Sequence, residues 1–341
     1  MYKISFKSFS TYRDALMGVV MISVFFFHCG DDWAPDCITT ITSRGYMGVA
    51  VFIFLSAIGL SYSMEKNGNI MAFYKRRIFR IFPTYWLIMT CVYLFVAILT
   101  SVGLMPSDYY RYPHTVWEAV QSYTTIGYWM KGGLYYLWYI PAITVLYLLF
   151  PFVYKIYSQW RWAAISIAIV PLLLSFYPEK TFGEYAYFLS FVGIFLYGAL
   201  AYYWVKSDYR VNGFIVVLIG GGALLYYCLR QVMHLGMIQI PVLETTLLYA
   251  TFPFILLALA PIISQHPINI VLSFVGKISL EFYLIHEFIL RFLVTVSNYA
   301  FNMPAFLQKM SGFVFSLCLA YVIHIVMTKL ISNNSKKQSA K

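Results

Sequence analysis

Charged residues are scarce in this sequence. Asp, Glu, Lys and Arg make up 11% of its 341 residues, whereas about a quarter of the residues of a soluble globular protein are charged. Hydrophobic residues make up 61% of the chain and fall into long blocks. A chain with so little charge cannot cover a water-exposed surface, so the composition excludes a water-soluble protein and indicates an integral membrane protein.

The common sequence signals of nucleotide, zinc and serine-hydrolase sites are also missing. The chain contains no P-loop, no Gly-x-Gly-x-x-Gly, no Gly-x-Ser-x-Gly and no zinc motif, so these site classes are not predicted. We therefore expect no metal and no permanently bound cofactor. Internal repeats are absent as well, which argues against the inverted-repeat plan of many transporters.

Ten apolar blocks dominate the chain. About 20 residues of helix, rising about 1.5 Å each, cross a hydrocarbon layer of about 30 Å. Alternating ten-residue segments, which membrane strands need, are absent, so the blocks are predicted to be helices. The predicted fold class is all-α, a polytopic transmembrane bundle of about ten helices in a single membrane domain, residues 1–341. The predicted spans lie near residues 14–30, 46–64, 81–103, 134–154, 162–177, 185–205, 213–229, 243–264, 270–296 and 305–331.

Basic residues are unevenly divided between the two sides of this predicted topology. With an internal N-terminus, 17 Lys and Arg residues fall in inside segments and 7 in outside segments. Positive charge accumulates in cytoplasmic loops, so both termini are predicted to be cytoplasmic. The net charge of +11 is then largely a topology signal. We expect the lipid bilayer, and no nucleic acid, as a partner.

His28 lies near the outer end of the first span. On a helix it shares one face with Met17, Met21 and Val24, about 21 Å beyond Asp14. An imidazole can take up a proton near neutral pH, as a general base must. A histidine that only reaches the lipid headgroups would occupy the same position, and the sequence leaves both alternatives open.

Small residues follow one face of the second span. Gly45, Gly48 and Gly59 lie on this face and predict close helix packing, because a missing side chain lets two backbones approach. Ser56 lies on the same face, where its hydroxyl can donate a hydrogen bond into a site.

The densest basic cluster falls in the predicted inner loop, residues 65–80. Arg77 and Arg80 are one helical turn apart and can face the same ligand, with Arg76 beside them. Guanidinium groups bind phosphates through paired hydrogen bonds. Retention of the loop in the cytoplasm and contact with anionic headgroups would explain the same residues without a ligand.

The ninth span carries ionisable residues that are costly inside a membrane. Tyr283 and His286 share one face, Glu287 lies beside that face, and Glu281 lies almost opposite. His286 is predicted to line a cavity, whereas Glu281 is expected to pair with a basic residue. Lys277 and Arg291 are examples of such a basic partner.

Aromatic residues mark the region between the third and fourth spans. Residues 101–133 are rich in Tyr, Trp and Pro and are predicted to lie on the membrane surface as a lid. Trp138 and Tyr139 open the fourth span, at a depth where aromatic belts are common, so packing alone would explain them.

Taken in order, these motifs resemble the acyltransferase-3 family of bacterial membrane O-acyltransferases. The resemblance covers residues 12–330 approximately. The matching elements are His28 after Leu16 and Gly18; Gly45-Tyr46-Met47-Gly48-Val49 leading to Phe54-Leu55-Ser56; Arg77-x-x-Arg80-Ile81-x-Pro83-x-Tyr85; Leu137-Trp138-Tyr139; and Ser279-x-x-x-Tyr283-Leu284-x-His286.

The resemblance implies transfer of an acyl group, usually acetyl from cytoplasmic acetyl-CoA, to a hydroxyl of a cell-surface or lipid-linked glycan. It implies a multi-pass protein of the cytoplasmic (inner) membrane with acyl-CoA as co-substrate. His28 would be the catalytic base, and Arg77, Arg80 and Arg76 would contact the donor phosphates. The passage between them would be lined by Ser56, Trp138, Tyr139, Tyr283 and His286.

Two positions depart from the family pattern. Met17 stands where many members carry an Arg eleven residues before the His, and Arg13, one turn earlier, is expected to substitute only from the cytoplasmic edge. Ala57 stands where a Gly often follows the Ser. No C-terminal hydrolase-like domain is found, so transfer is expected to be completed within the membrane part.

Two other function classes stay open. A proton-coupled transporter or exporter of a glycan or small metabolite would use Glu281, His286 and Glu287 as its path. A glycan-sensing protein derived from an enzyme would bind the acceptor without turnover.

Overall fold

The computed structural model describes residues 3–104, 113–131, 137–160, 185–233, 251, 253–297 and 302–339. Helices form most of these segments, and several are long and apolar enough to cross a membrane, as in an all-α membrane protein. A 3₁₀-helix at Gly45–Met47 precedes the fourth helix. In chain order the helices are α1 Ser8–Thr11, α2 Arg13–His28, α3 Asp36–Thr42, α4 Gly48–Lys66, α5 Ile70–Ser101, α6 Val116–Tyr123, α7 Ile126–Lys131, α8 Tyr139–Gln159, α9 Tyr185–Lys206, α10 Gly213–Met233, α11 Ala260–Ile263, α12 His266–Lys277, α13 Ser279–Val296 and α14 Ala305–Ser339.

The described segments also contain a short antiparallel β-ribbon. β1 (Lys3–Ser5) pairs with β2 (Arg210–Asn212). The Ser5 hydroxyl donates a hydrogen bond to Asp208, and this bond together with Arg210 holds the pKa of Asp208 below its usual range. The ribbon places the N-terminus and the α9–α10 connection at one end of the molecule. The predicted topology assigns both segments to the inside, so their relative placement agrees with it.

Four stretches of the described residues are long and apolar enough to cross a membrane, and α12 with α13 makes a fifth if the two are counted together. The helix α2 has 16 residues, fewer than the about 20 that a straight span needs. The predicted span at 162–177 and part of that at 243–264 lie outside the described residues, so ten spans stay a prediction. The four stretches are Asp36–Lys66, Ile70–Ser101, Tyr139–Gln159 and Ala305–Ser332.

The basic cluster lies on a helix, and the prediction of a loop over residues 65–80 is wrong except at residues 67–69, which connect α4 and α5. Asn69 caps α5 by accepting a hydrogen bond from the backbone N–H of Ala72 at 2.9 Å, and Asn is among the preferred N-cap residues. The helix then continues through Pro83 to Ser101. The arginines of this cluster are therefore held on a rigid element.

No side chain separates α2 from α12 where the two helices cross. A Cβ atom added to Gly18 would lie 2.0 Å from the Leu272 carbonyl oxygen, and one added to Gly276 would lie 1.7 Å from the Asp14 carbonyl oxygen. Only glycine permits backbones to approach this closely. The contact holds the last turn of α12 against the first turn of α2.

The predicted ninth span, residues 270–296, is not one continuous helix, and this part of the prediction is wrong. The helices α12 and α13 meet at Ile278 with a bend of 74°. Side-chain periodicity assumes a straight helix, whereas the bend accompanies the tertiary contact of Gly276 with α2, which no local pattern encodes. The bend leaves Ser279 and Leu280, at the start of α13, beside residues of α2 and α5.

The helices α6 and α7 belong to the segment predicted to be a surface lid. Tyr85 and Trp86 donate side-chain hydrogen bonds to the carbonyl oxygens of Ser122 and Tyr123, at 2.6 and 2.9 Å. These two α5 residues lie more than about 20 Å before the end of α5 at Ser101. The helix α6 therefore lies alongside α5 and not beyond its end.

Candidate active site

A cavity of about 180 Å³ lies between α2, α4, α5, α8 and α13. Five residues that the sequence predicted for a site line it together: Ser56, Arg77, Arg80, Tyr139 and Tyr283. The remaining lining residues are Arg13, Met17, Phe52, Gly59, Ile81, Tyr147, Ser279 and Leu280.

Three guanidinium groups make this cavity positive. Arg13, Arg77 and Arg80 line it, and no acidic residue is among the described lining residues. The Arg77 guanidinium carbon lies 5.4 Å from the centre of the Phe73 ring and 6.0 Å from that of Tyr147. The Arg77 Nε atom is buried and has no hydrogen-bond partner among the described residues. Such a cluster binds multiply charged anions, because each planar guanidinium can engage a phosphate through two hydrogen bonds.

A polar line crosses the cavity from α4 to α13. Ser56 of α4 and Tyr139, the first residue of α8, both line the cavity. The rings of Tyr139 and Tyr283 meet edge to face with centres 5.3 Å apart. Hydroxyl groups on this line can orient a polar chain that enters from the arginine end.

The predicted small-residue face of the second span has two roles. A Cβ atom on Gly45 would lie 1.8 Å from the Ser23 carbonyl oxygen, and one on Gly48 would lie 2.9 Å from that of Val20. These two glycines therefore pack against α2, as predicted. A Cβ atom on Gly59 would have no other atom within 4 Å, so Gly59 enlarges the cavity and does not serve helix packing.

Two histidines meet at the far end of α2. His28 is the last residue of α2, and its ring lies 5.0 Å from the ring of His286 at an angle of 82°. Phe25 and Phe282 pack against the His286 ring. His286 is buried, whereas the side chain of His28 is 25% exposed. His28 is thus the histidine of the pair that a substrate can reach.

The hydrogen bonds of His286 fix its tautomer. Its Nδ1 atom lies 2.8 Å from the carbonyl oxygen of Tyr283 and 3.2 Å from that of Phe282. Carbonyl oxygens only accept, so Nδ1 carries the proton and Nε2 of the neutral ring is an acceptor. The Nε2 atom is buried without a hydrogen-bond partner among the described residues. Tyr283 therefore joins the two regions, since its side chain lines the cavity and its carbonyl holds His286.

The cavity and the histidine pair occupy opposite ends of α2. Arg13 begins this helix and His28 ends it, a separation of about 22 Å at the helical rise. Arg13, which is expected to substitute for the missing Arg from the cytoplasmic edge, lines the same cavity as Arg77. Met17, at the position where many family members carry an Arg, also lines the cavity.

Two predicted site residues lie elsewhere. Arg76 is exposed, and its Nη2 atom lies 3.4 Å from the Ser63 hydroxyl. Trp138 packs against Phe191 with ring centres 5.0 Å apart. Neither Arg76 nor Trp138 is among the described residues that line the cavity.

The two buried carboxylates of α13 have separate partners. Glu281 bonds to His324 of α14 at 3.0 Å, so its predicted pairing with a basic residue is confirmed, but the partner is neither Lys277 nor Arg291. A partner on a distant helix leaves no signal in local spacing. Glu287 accepts hydrogen bonds from Arg291, and its second oxygen lies 3.8 Å from His28. In the part of the chain that the structure describes, no group of three or more His, Cys, Asp or Glu residues could hold a metal ion.

The fold and this geometry define a class of protein: a helical membrane protein with an arginine-lined cavity at one end of α2 and a histidine pair at the other. A family model described as "Acyltransferase domain" matches residues 11–325. The chain therefore belongs to this acyltransferase family, which confirms the resemblance drawn from the motifs.

Similarity to individual proteins is more limited. The chain is 26% identical over 171 residues to a protein of Acidianus two-tailed virus named "Putative acetyltransferase ORF330". The match covers 49% of this chain and 46% of the viral protein, so the chain spans about half the length of the curated relative that it matches. No solved structure matches the chain.

Proposed function

We propose that this protein is a multi-pass O-acyltransferase of the inner membrane. It moves an acetyl group from cytoplasmic acetyl-CoA to a hydroxyl of a cell-surface or lipid-linked glycan. The observation that carries the proposal is the convergence of Arg13, Arg77 and Arg80 on one cavity, within a chain of the acyltransferase family.

The arginine cavity is proposed to hold the donor. Coenzyme A carries a pyrophosphate and a further phosphate, which match three guanidinium groups better than a single anionic headgroup does. Arg76 is left out of this assignment because it lies outside the cavity. The polar line of Ser56, Tyr139 and Tyr283 is proposed to guide the acyl-bearing arm towards the histidines. Acyl-CoA acts here as a co-substrate and not as a bound cofactor.

His28 is proposed to be the catalytic base. It removes the proton from the acceptor hydroxyl while the hydroxyl oxygen attacks the thioester carbonyl. The new carbon–oxygen bond forms, the carbon–sulfur bond breaks, and the proton on His28 passes to the departing thiolate. His28 suits this role because it is partly exposed beside the buried His286.

The transporter alternative gains no support from the positions of the acidic residues. A path through the bundle would need Glu281, His286 and Glu287 on one continuous line. Glu281 instead contacts His324 of α14, and Glu287 contacts Arg291 and His28.

Mass spectrometry of surface glycans tests the proposed activity. A deletion strain is complemented either with the wild-type gene or with His28→Ala at matched membrane levels. We expect glycan acetylation to return with the wild type and to be lost with His28→Ala, because removing a general base costs about 100-fold or more in rate. Equal acetylation by both would overturn the assignment of His28. Acetylation by neither would overturn the proposed acceptor class.

A further inference from the structure

The carboxylate of Glu287 lies between a histidine and an arginine. Its Oε1 atom accepts hydrogen bonds from Nε and Nη2 of Arg291, at 2.9 and 2.7 Å. Its Oε2 atom faces Nδ1 of His28 at 3.8 Å. The two oxygens therefore contact two different side chains, and the arginine fixes the direction of the carboxylate.

The carboxylate of Glu287 is buried, and its burial costs desolvation free energy. Glu287 is 5% exposed, and a buried carboxylate needs compensating charge or hydrogen bonds. Arg291 provides compensation from an exposed position one helical turn away. Charge compensation of Glu287 by Arg291 does not by itself require the carboxylate to face His28.

The neighbouring histidine restricts the geometry further. The ring of His286 stands at 82° to that of His28 and is held through Nδ1 by the Tyr283 carbonyl. Phe27 also packs against His28, with ring centres 5.1 Å apart. The His28 ring therefore contacts an aromatic ring and a fixed imidazole, and a carboxylate lies near its Nδ1 atom.

We infer that Glu287 is a positioning residue for His28, held in place by Arg291. The carboxylate directs Nδ1–H of His28 towards itself and leaves Nε2 as the atom that takes the acceptor proton. When that proton arrives, the imidazolium is stabilised by the adjacent negative charge. No group other than the acceptor hydroxyl and the thiolate exchanges a proton in this step. The inference rests on the proposed function, since it requires His28 to be the base.

Steady-state kinetics of the full-length protein in lipid nanodiscs test this role. The measured quantities are kcat and the KM for acetyl-CoA, with a soluble glycan acceptor. We expect Glu287→Gln to lower kcat at least tenfold while the donor KM changes less than twofold, because the donor cavity is remote. Glu287→Asp, which keeps the charge, is expected to recover part of kcat.

A matched control comes from the same helix. Glu281→Gln replaces an equally buried carboxylate that faces α14, and we expect its kcat to stay within twofold of wild type. Glu287→Gln combined with Arg291→Gln removes both charges of the pair, so it reports activity if the single variant fails to fold. The inference predicts that this double variant is as slow as Glu287→Gln. Recovery of wild-type kcat in the double variant would overturn it.

The combined effect of two substitutions on activity distinguishes this inference from the proposed function. If Glu287 acts through His28, adding Glu287→Gln to His28→Ala produces no further loss. A further tenfold loss in that background would contradict the inference and leave His28 as the base. Full activity of His28→Ala alone would instead contradict the proposed function.

Discussion

At the scale of single residues, the position of each arginine decides its role. Arg76 and Arg77 are neighbours in sequence, yet only Arg77 lines the cavity. A guanidinium hydrogen-bonded to a charged phosphate contributes about 1.5–3 kcal/mol. Arg77→Gln is therefore expected to weaken acetyl-CoA binding roughly 10- to 100-fold, as measured by calorimetry in nanodiscs.

Arg76→Gln is the matched control for this measurement. It removes the same charge from the same turn of α5, but from an exposed side chain outside the cavity. Its donor affinity is expected to stay near the wild-type value. Equal weakening by both substitutions would show that general surface charge, and not the cavity, binds the donor.

Gly59 gives a second test of the donor site at the residue scale, because it lines the cavity and a side chain added there would enter open space. Gly59→Leu can extend a side chain into that space without meeting a neighbouring atom at Cβ. We expect it to obstruct the donor and to weaken acetyl-CoA binding by about tenfold or more. Gly221→Leu, which also has open space at Cβ and lies outside the cavity, should bind normally. Unchanged binding by Gly59→Leu would exclude this cavity as the donor site.

At the scale of helices and strands, part of the architecture was predictable from the sequence. The helices predicted near 185–205 and 213–229 are present as α9 and α10, because each is a long apolar block with little competing signal. The shared face of Tyr283 and His286 was also predictable, since both lie within α13. The bend at Ile278 and the Glu281–His324 pair were not, because each depends on contacts between helices far apart in sequence.

The candidate site was likewise only partly predictable from the sequence. The motif residues that line the cavity could be named because their order along the chain resembles the family pattern. The entry of Arg13 into that cavity could not, because it depends on how α2 packs against α5 and α13. Local periodicity places Arg13 on a helix face but does not say which neighbour covers that face.

The crossing of α2 and α12 gives a prediction at the helix scale. Gly276→Ala places a methyl group against the Asp14 backbone, and relief requires the two helices to separate. Overpacking of this kind costs about 1–3 kcal/mol, so a lower midpoint of thermal unfolding in detergent is expected. Gly59→Ala is the control, since its Cβ meets nothing and alanine favours a helix by about 1 kcal/mol. A Gly276→Ala protein as stable as wild type would contradict this crossing.

At the scale of the whole molecule, the two halves of the proposed reaction lie at opposite ends of α2. The arginine cavity lies at the end that carries the ribbon of β1 and β2, and His28 lies about 22 Å away along the helix. The charge bias of the loops predicts that the arginine end faces the cytoplasm. Donor and acceptor are therefore proposed to approach from different sides of the membrane.

Transfer across sealed proteoliposomes tests this arrangement most directly. The protein is reconstituted in one orientation, and acetyl-CoA and a soluble glycan acceptor are placed on chosen sides. We expect acetylated glycan only when acetyl-CoA is on the arginine side and the glycan is on the His28 side, with no product from His28→Ala. Product formed only when both substrates share one side would contradict transfer through the bundle.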